Sequence, residues 1–130
     1  CMNCHQLVLP SSPKLALVKQ SWETRTPIEW IRVHKVPDYA YFDHSMHLRA
    51  GVGCESCHGL VSGMDVVELT QPLSMGWCLE CHRDPDMHLR PASAITTMGW
   101  TPPANQRERA AQIKKDLGLR PPVSCSGCHR

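Results

Sequence analysis

Apolar side chains recur at helical spacing in two stretches of the chain. The first runs from Ser12, a suitable N-cap followed by a proline, to Trp22. The second begins with Asn105 and Glu108, which fit a capping box, and continues to about Leu117, where Gly118 stops it. The apolar stripes are Leu15, Val18 and Trp22 in the first helix and Ala110, Ile113 and Leu117 in the second. Both helices are expected to pack on a neighbouring element.

The remaining regular structure is predicted to be short. Ile28–Val36 contains β-branched residues in partial alternation and predicts a strand that ends at Pro37. Asp43 can cap a short helix that carries two histidines, and Ser74 can cap the turn at Met75–His82. We therefore expect a mostly irregular fold with short α-helices and little β structure.

The composition is poor for an ordinary hydrophobic core. The 130 residues suffice for one domain, but they include only seven aromatic side chains, against 11 prolines and 8 glycines. Small chains that lack a large core usually rely on disulfides, metals or cofactors. We expect something other than side chains to fill the interior.

The eight cysteines form four Cys-x-x-Cys pairs, and a histidine follows every pair directly. On composition alone this fourfold coincidence has a chance on the order of 10⁻⁵. A disulfide framework or a structural zinc site does not require a histidine beside every pair. The four motifs are Cys1, Cys4 and His5; Cys54, Cys57 and His58; Cys78, Cys81 and His82; and Cys125, Cys128 and His129. Cys-x-x-Cys-His is the attachment motif of c-type haem, in which the thiols bond the vinyl groups and the histidine binds iron.

Four haems would explain the unusual composition. Each haem would have fewer than 33 residues of its own, so the macrocycles would form much of the core. Each motif must form a helical turn, because residues i and i+3 must reach the same ring. The propionates would outweigh the formal charge of +2, and there is no Lys/Arg run that indicates nucleic-acid binding.

Distal iron ligands are expected from the histidines outside the motifs. His44 and His47 are three residues apart, which places their imidazoles on one side of a helix but diverging along it. They could therefore serve two haems, and only 19 residues separate His58 from Cys78. His34 is a third candidate, and His88 is expected at the surface or against a propionate. Methionine ligands are also possible, namely Met64, Met75 and Met98, although packing is the usual role of methionine.

The order of these features resembles one protein family, the pentahaem cytochrome subunit of bacterial alternative complex III. The resemblance spans nearly the whole chain and rests on CMNCH, PIEWIRVHKVPDYAYFDHSMH, GCESCHG, LSMGWCLECHR, LRP and CSGCHR. More widely, the chain is similar to class III multihaem cytochromes. In those relatives the first histidine of the pair serves the next haem and the second serves a later one. The resemblance therefore implies His44 opposite His58 and His47 opposite His82, and it leaves the haem at Cys125 to His34 or a methionine.

The family also implies partners and a location. We expect an iron–sulfur subunit, a quinol-oxidising membrane subunit and a periplasmic electron acceptor, at the periplasmic face of the bacterial inner membrane. No segment has the 18 or so apolar residues of a membrane span. An upstream segment is therefore expected to hold the anchor, a fifth haem motif and the distal ligand of the haem at Cys1.

The expected function is electron transfer rather than catalysis, because histidines are available to close both faces of the irons. Two alternatives stay open: a free-standing periplasmic multihaem shuttle and, less favoured, a multihaem reductase. A reductase would need an open coordination position at one iron.

Overall fold

The computed structural model describes residues 1–129, and over this range the chain is mostly helical with irregular connections. The α-helices are α1 (Met2–His5), α2 (Ala16–Thr24), α3 (His44–Arg49), α4 (Glu55–His58), α5 (Met75–Arg83), α6 (Gln106–Leu117) and α7 (Cys125–Cys128). Single 3₁₀ turns occupy Pro13–Leu15, Val61–Gly63, Asp86–His88 and Ala92–Ala94. The predicted predominance of short helices is confirmed.

The predicted strand at Ile28–Val36 is wrong, because this segment is irregular. Within residues 1–129 the only β pairing consists of two isolated bridges, Ala40 with His129 and Val52 with Leu89. A strand needs a neighbouring strand to satisfy its backbone groups, and neither bridge lies within the predicted segment. Its alternation of side chains was therefore not sufficient to make β structure.

The chain, predicted from its length to form one domain, divides into two compact units. The first unit is Cys1–Arg32 and contains α1 and α2. Its predicted helix begins after Ser12 with Pro13 at the first position, as a 3₁₀ turn that leads into α2. Arg25 ends α2 in the left-handed conformation, with φ of 59°.

The second unit begins at Val33 and contains α3 to α7. Both predicted serine or aspartate caps in this unit are confirmed. The Asp43 carboxylate accepts the Ser45 amide at 2.7 Å, and the Ser74 hydroxyl accepts the Trp77 amide at 3.3 Å. These bonds satisfy backbone donors that the first turns of α3 and α5 leave free.

Helix α6 begins and ends where the sequence predicts, but its capping box is wrong. Asn105 has φ of −96° and ψ of 28° and makes no side-chain cap bond. An N-cap residue normally has extended backbone, which directs its side chain at the first turn. At the other end Gly118 is left-handed and its amide reaches the carbonyls of Lys114 and Lys115, as expected for a glycine stop.

The side-chain core of the second unit is small and lies where α6 packs on the 3₁₀ turn Asp86–His88. Leu89 and Ala110 are its buried apolar residues, at 1% and 0% exposure. Gln106 is also buried, and its amide donates to the carbonyls of Asp86 and Leu89, both at 2.6 Å. The core therefore holds the segment that follows the third cysteine motif against α6.

Candidate cofactor site

All four Cys-x-x-Cys-His motifs lie on helical turns, as predicted. The motifs coincide with α1, α4, the middle of α5 and α7. In three of them the histidine amide donates to the carbonyl of the first cysteine, at 2.9 to 3.1 Å. All eight cysteines carry free thiols. A helical turn places the thiols of residues i and i+3 on one side, which is the arrangement needed to bond one ring system.

Three of the motifs lie close together in the second unit. Burial raises the pKa of the Cys57 thiol, and the neighbouring thiols Cys81 and Cys78 add to this effect. Burial also raises the pKa of Cys78, with a further contribution from Cys128. The motifs at Cys54, Cys78 and Cys125 are therefore neighbours. The short spacing from His58 to Cys78 predicted this closeness for the second and third motifs, but not for the fourth.

Two imidazole pairs form the centre of the candidate site. The rings of His44 and His58 have centres 6.2 Å apart and planes 8° from parallel. The rings of His47 and His82 have centres 6.1 Å apart and planes at 39°. These are the two pairs that the resemblance implies.

The spacing of both pairs matches two imidazoles on opposite faces of one metal ion. A metal–imidazole bond is about 2.0–2.1 Å long, and about 1.1 Å separates the bonding nitrogen from its ring centre, so the two centres would be about 6.3 Å apart. A pair of imidazoles supplies two ligands, whereas a structural zinc site takes four. No group of three or more His, Cys, Asp or Glu side chains within residues 1–129 is arranged to hold a metal ion. A haem iron, which takes four ligands from its macrocycle, would need only two such imidazoles from the protein.

Phe42 lies beside both members of the histidine pair on α3. Its ring centre is 4.7 Å from that of His44 and 4.7 Å from that of His47. The rings meet edge-on at 83° in the first contact and at 33° in the second. Packing against one rigid ring restricts the rotamers of both imidazoles, which prepares them for separate partners.

Backbone carbonyls select the tautomer of four histidines. Nδ1 of His47 lies 2.9 Å from the Asp43 carbonyl, and Nδ1 of His82 lies 2.7 Å from the Pro122 carbonyl. His5 and His129 make the same kind of bond, at 3.1 Å each, to the carbonyls of Val8 and Tyr39. A carbonyl only accepts, so Nδ1 must carry the proton and donate it. Nε2 of the neutral ring then keeps its lone pair for a metal, the arrangement usual for metal-binding histidines.

His34 lies beside His58 rather than with the fourth motif. The ring centres of His34 and His58 are 4.4 Å apart with planes at 71°, and Nε2 of His34 is buried without a hydrogen-bond partner. The ring of His129 instead lies 5.8 Å from Tyr39. This placement gives no support to His34 as the distal ligand at Cys125. Burial lowers the pKa of His58, as do the charges of His34 and His44, which favours the neutral ring that a metal ligand requires.

The remaining candidate ligands, one histidine and three methionines, differ in how far their side chains are exposed to solvent. His88 is half-buried, and burial is the main reason that its pKa is lowered; its expected place at the surface or against a propionate stays a prediction. Met75 is 66% exposed, whereas Met64 and Met98 are partly buried.

Backbone contacts that the sequence did not reveal tie the motifs together. The Tyr41 amide donates to the Cys128 carbonyl at 2.7 Å, next to the bridge between Ala40 and His129. The segment that leads into α3 is therefore bonded to the fourth motif. The bond from His82 to Pro122 links the third motif to the residues before the fourth.

An ion pair missed by sequence analysis lies inside the second motif. Glu55, between Cys54 and Cys57, pairs with Arg90 at 2.5 Å. A carboxylate within a cysteine motif and an isolated arginine 35 residues later give no local signal of pairing. Arg90 belongs to the LRP segment, one of the stretches on which the family resemblance rests.

No protein-family model matches the sequence, and no curated protein matches it significantly.

Within residues 1–129 the structure contains no helix that is both long enough and apolar enough to cross a membrane.

Proposed function

We propose that this chain transfers electrons through four covalently bound c-type haems. The observation that carries the proposal is the spacing of the imidazole pairs, 6.2 Å for His44 with His58 and 6.1 Å for His47 with His82. This spacing accompanies cysteine pairs that lie on helical turns directly before the two proximal histidines. Sequence motif and ring geometry thus support the same cofactor.

The residues that would hold the haems follow from the motifs. Thioether bonds would form at the four cysteine pairs, and His5, His58, His82 and His129 would be the proximal ligands. His44 and His47 would be distal ligands. When bound, haem supplies reversible one-electron chemistry at its iron. The carbonyls that accept the Nδ1 protons of His5, His47, His82 and His129 hold these imidazoles in one tautomer and orientation. Such hydrogen bonds raise the basicity of a metal-binding imidazole.

The small side-chain core supports the proposed haem core. Within residues 1–129 the buried apolar side chains are those of Pro85, Leu89 and Ala110 alone. Large apolar side chains near the imidazole pairs stay exposed, including Phe42 at 43% and Met46 at 63%. Haem rings would cover apolar surface of this kind, as expected for a class III-like multihaem cytochrome.

The two imidazole pairs favour electron transfer over catalysis, because each pair would occupy both remaining ligand positions of an iron. Two irons would each have a histidine on either face, which leaves no open position for a substrate at these sites. A relay needs only that electrons enter and leave, and the protein sets the potentials through ligands, hydrogen bonds and burial.

The larger assembly is proposed from the family resemblance. The chain would be the relay subunit of a quinol-oxidising respiratory or photosynthetic complex at the periplasmic face of the inner membrane. Its partners would be an iron–sulfur subunit, a quinol-oxidising membrane subunit and a periplasmic acceptor.

The test is to produce the chain with an exported c-type maturation system and measure its haem content. The expected result is a mass increase of four haems and spectra of six-coordinate, low-spin iron at the two pairs. A protein without covalent haem, or one that binds zinc at the cysteines instead, would refute the proposal. A high-spin ferric haem that binds nitrite or cyanide would favour a reductase. Salt-stable copurification with an iron–sulfur subunit would distinguish the relay from a free shuttle.

A further inference from the structure

The second cysteine motif contains an ion pair that is almost removed from solvent. Nη2 of Arg90 lies 2.5 Å from Oε1 of Glu55, and the side chains are 4% and 11% exposed. The Glu55 carboxylate also accepts the amides of Gly99 at 2.7 Å and Trp100 at 3.1 Å. These donors keep the carboxylate ionised, and its pKa is lowered despite burial.

Several further contacts fix the position of Arg90. Its Nη1 donates to the carbonyls of Thr97 at 2.9 Å and Ala94 at 3.5 Å, and its guanidinium lies 4.6 Å from the Trp100 ring centre. Its backbone amide donates to the Gly51 carbonyl at 2.8 Å. The planar fork of arginine suits several acceptors at once.

Gly53, directly before the motif, leaves the space that the Arg90 guanidinium occupies. A Cβ atom at position 53 would lie only 2.3 Å from the guanidinium carbon of Arg90. Nε of Arg90 is buried in the same region without a hydrogen-bond partner. A buried donor without a partner is unfavourable, so the position of this side chain is imposed by its other contacts.

Helix α4, which carries the second motif, depends on contacts from other segments more than α5, which carries the third motif. It has four residues and no side-chain cap, and His58 is its last residue. The third motif lies in the nine-residue α5, which has the Ser74 cap. A helix of one turn is not stable alone, since most of its backbone groups lack partners within it. The contacts of Glu55 therefore supply support that α4 lacks within itself.

We propose that Arg90 is a positioning residue for the second haem motif: its buried ion pair with Glu55 orients α4 and so sets the angle between the imidazoles of His58 and His44. The proposal rests on the proposed haem-binding function. It predicts a local effect, confined to the haem at Cys54.

The test compares variants in the haem-loaded chain by electron paramagnetic resonance. The signal of low-spin ferric haem depends on the angle between its two axial imidazole planes, which is 8° for His44 with His58 and 39° for His47 with His82. In Arg90→Met the signal of the near-parallel pair should shift and broaden, and the midpoint potential of that haem should change. The signal of the 39° pair should stay as in the unmodified chain.

Three further variants make the test specific. Arg90→Lys keeps the charge but loses the fork, so it should give a smaller shift at the same haem. Glu55→Gln combined with Arg90→Met should shift the signal no further than Arg90→Met alone, because both changes act through one ion pair. The matched control is Arg107→Met, which removes ion pairs of an exposed arginine with Asp84 at 3.2 Å and with Asp86 at 3.7 Å and should leave both signals unchanged.

Two results would overturn the proposal. One is a lower Tm in Arg90→Met or Arg90→Lys with both signals and all potentials unchanged, which would make the role of Arg90 structural only. The other is an equal change at every haem.

A chain that binds no haem would refute the proposed function without ending this test. Amide hydrogen exchange would then report on α4 directly. Exchange at least tenfold faster at His58 in Arg90→Met, with His82 unchanged, would support positioning by Arg90, and equal rates at His58 would refute it.

Discussion

Replacement of His47 by alanine should remove the distal ligand of one haem and leave the others intact. The His47 ring centre is 6.1 Å from that of His82, whereas the other ring on α3, His44, is paired with His58 at 6.2 Å. Because Phe42 packs on both α3 imidazoles, we expect His44 to keep its own partner.

The expected magnitude follows from the number of motifs. With four haems in the chain, His47→Ala should convert one haem in four, the haem at Cys78, from the six-coordinate, low-spin form to a five-coordinate, high-spin form. Alanine places no donor atom within bonding distance of the iron, so the conversion should be complete at that site. Loss of the bond from His47 to the Asp43 carbonyl, at 2.9 Å, should affect only α3 itself.

The assay is optical and electron paramagnetic resonance spectroscopy combined with a redox titration that resolves the haems. His44→Ala should produce the same loss at the haem of Cys54, and added imidazole should restore six-coordination in both variants. His88→Ala is the control, because His88 is half-buried in a 3₁₀ turn and is not assigned to an iron.

The pairing would be refuted if the haem at Cys78 stayed six-coordinate with an unchanged potential in His47→Ala. It would also be refuted if His44→Ala and His47→Ala affected the same haem. Either result would mean that the observed ring distances do not correspond to shared irons.

Two further predictions concern the stability of the second unit. Gln106→Leu should lower the free energy of unfolding by roughly 2–4 kcal/mol, since two buried carbonyls lose their donor. Guanidinium denaturation should show this loss. The control is Gln112→Leu at an exposed position on the same helix, which should change the free energy of unfolding little. The pKa of Asp43 is lowered chiefly by its hydrogen bond from Ser45, so the cap should stabilise α3 fully above the ordinary value of 3.8 and be lost as the pH falls through the lower folded value. The Ser45 amide resonance should follow this transition in the unmodified chain, and a transition that persists in Asp43→Asn would contradict the assignment to this carboxyl.

The sequence was most informative where structure depends on neighbouring residues. The helical turns at the four cysteine motifs, the caps at Asp43 and Ser74 and the stop at Gly118 all follow from contacts within about four residues. Such contacts are available whatever the rest of the chain does, so local patterns predict them. The strand at Ile28–Val36 failed for the complementary reason, because a strand depends on a distant partner that this segment does not have.

Residue pairs that are distant in sequence were decided by the tertiary structure. The spacing of His44 and His47 indicated two separate partners, but only the fold shows His34 against His58 and Tyr39 against His129. The fold also brings Arg90 to Glu55, 35 residues away, and converts an unremarkable arginine into a candidate positioning residue.

The sequence by itself therefore determined the chemistry expected of this protein: four cysteine pairs, each with its histidine, on helical turns. The tertiary structure decided which imidazoles lie about 6 Å apart, which carbonyls accept their Nδ1 protons and which side chains support α4. The physical reason is that attachment requires residues three and four apart, whereas ligand pairing depends on the packing of segments that the sequence separates widely.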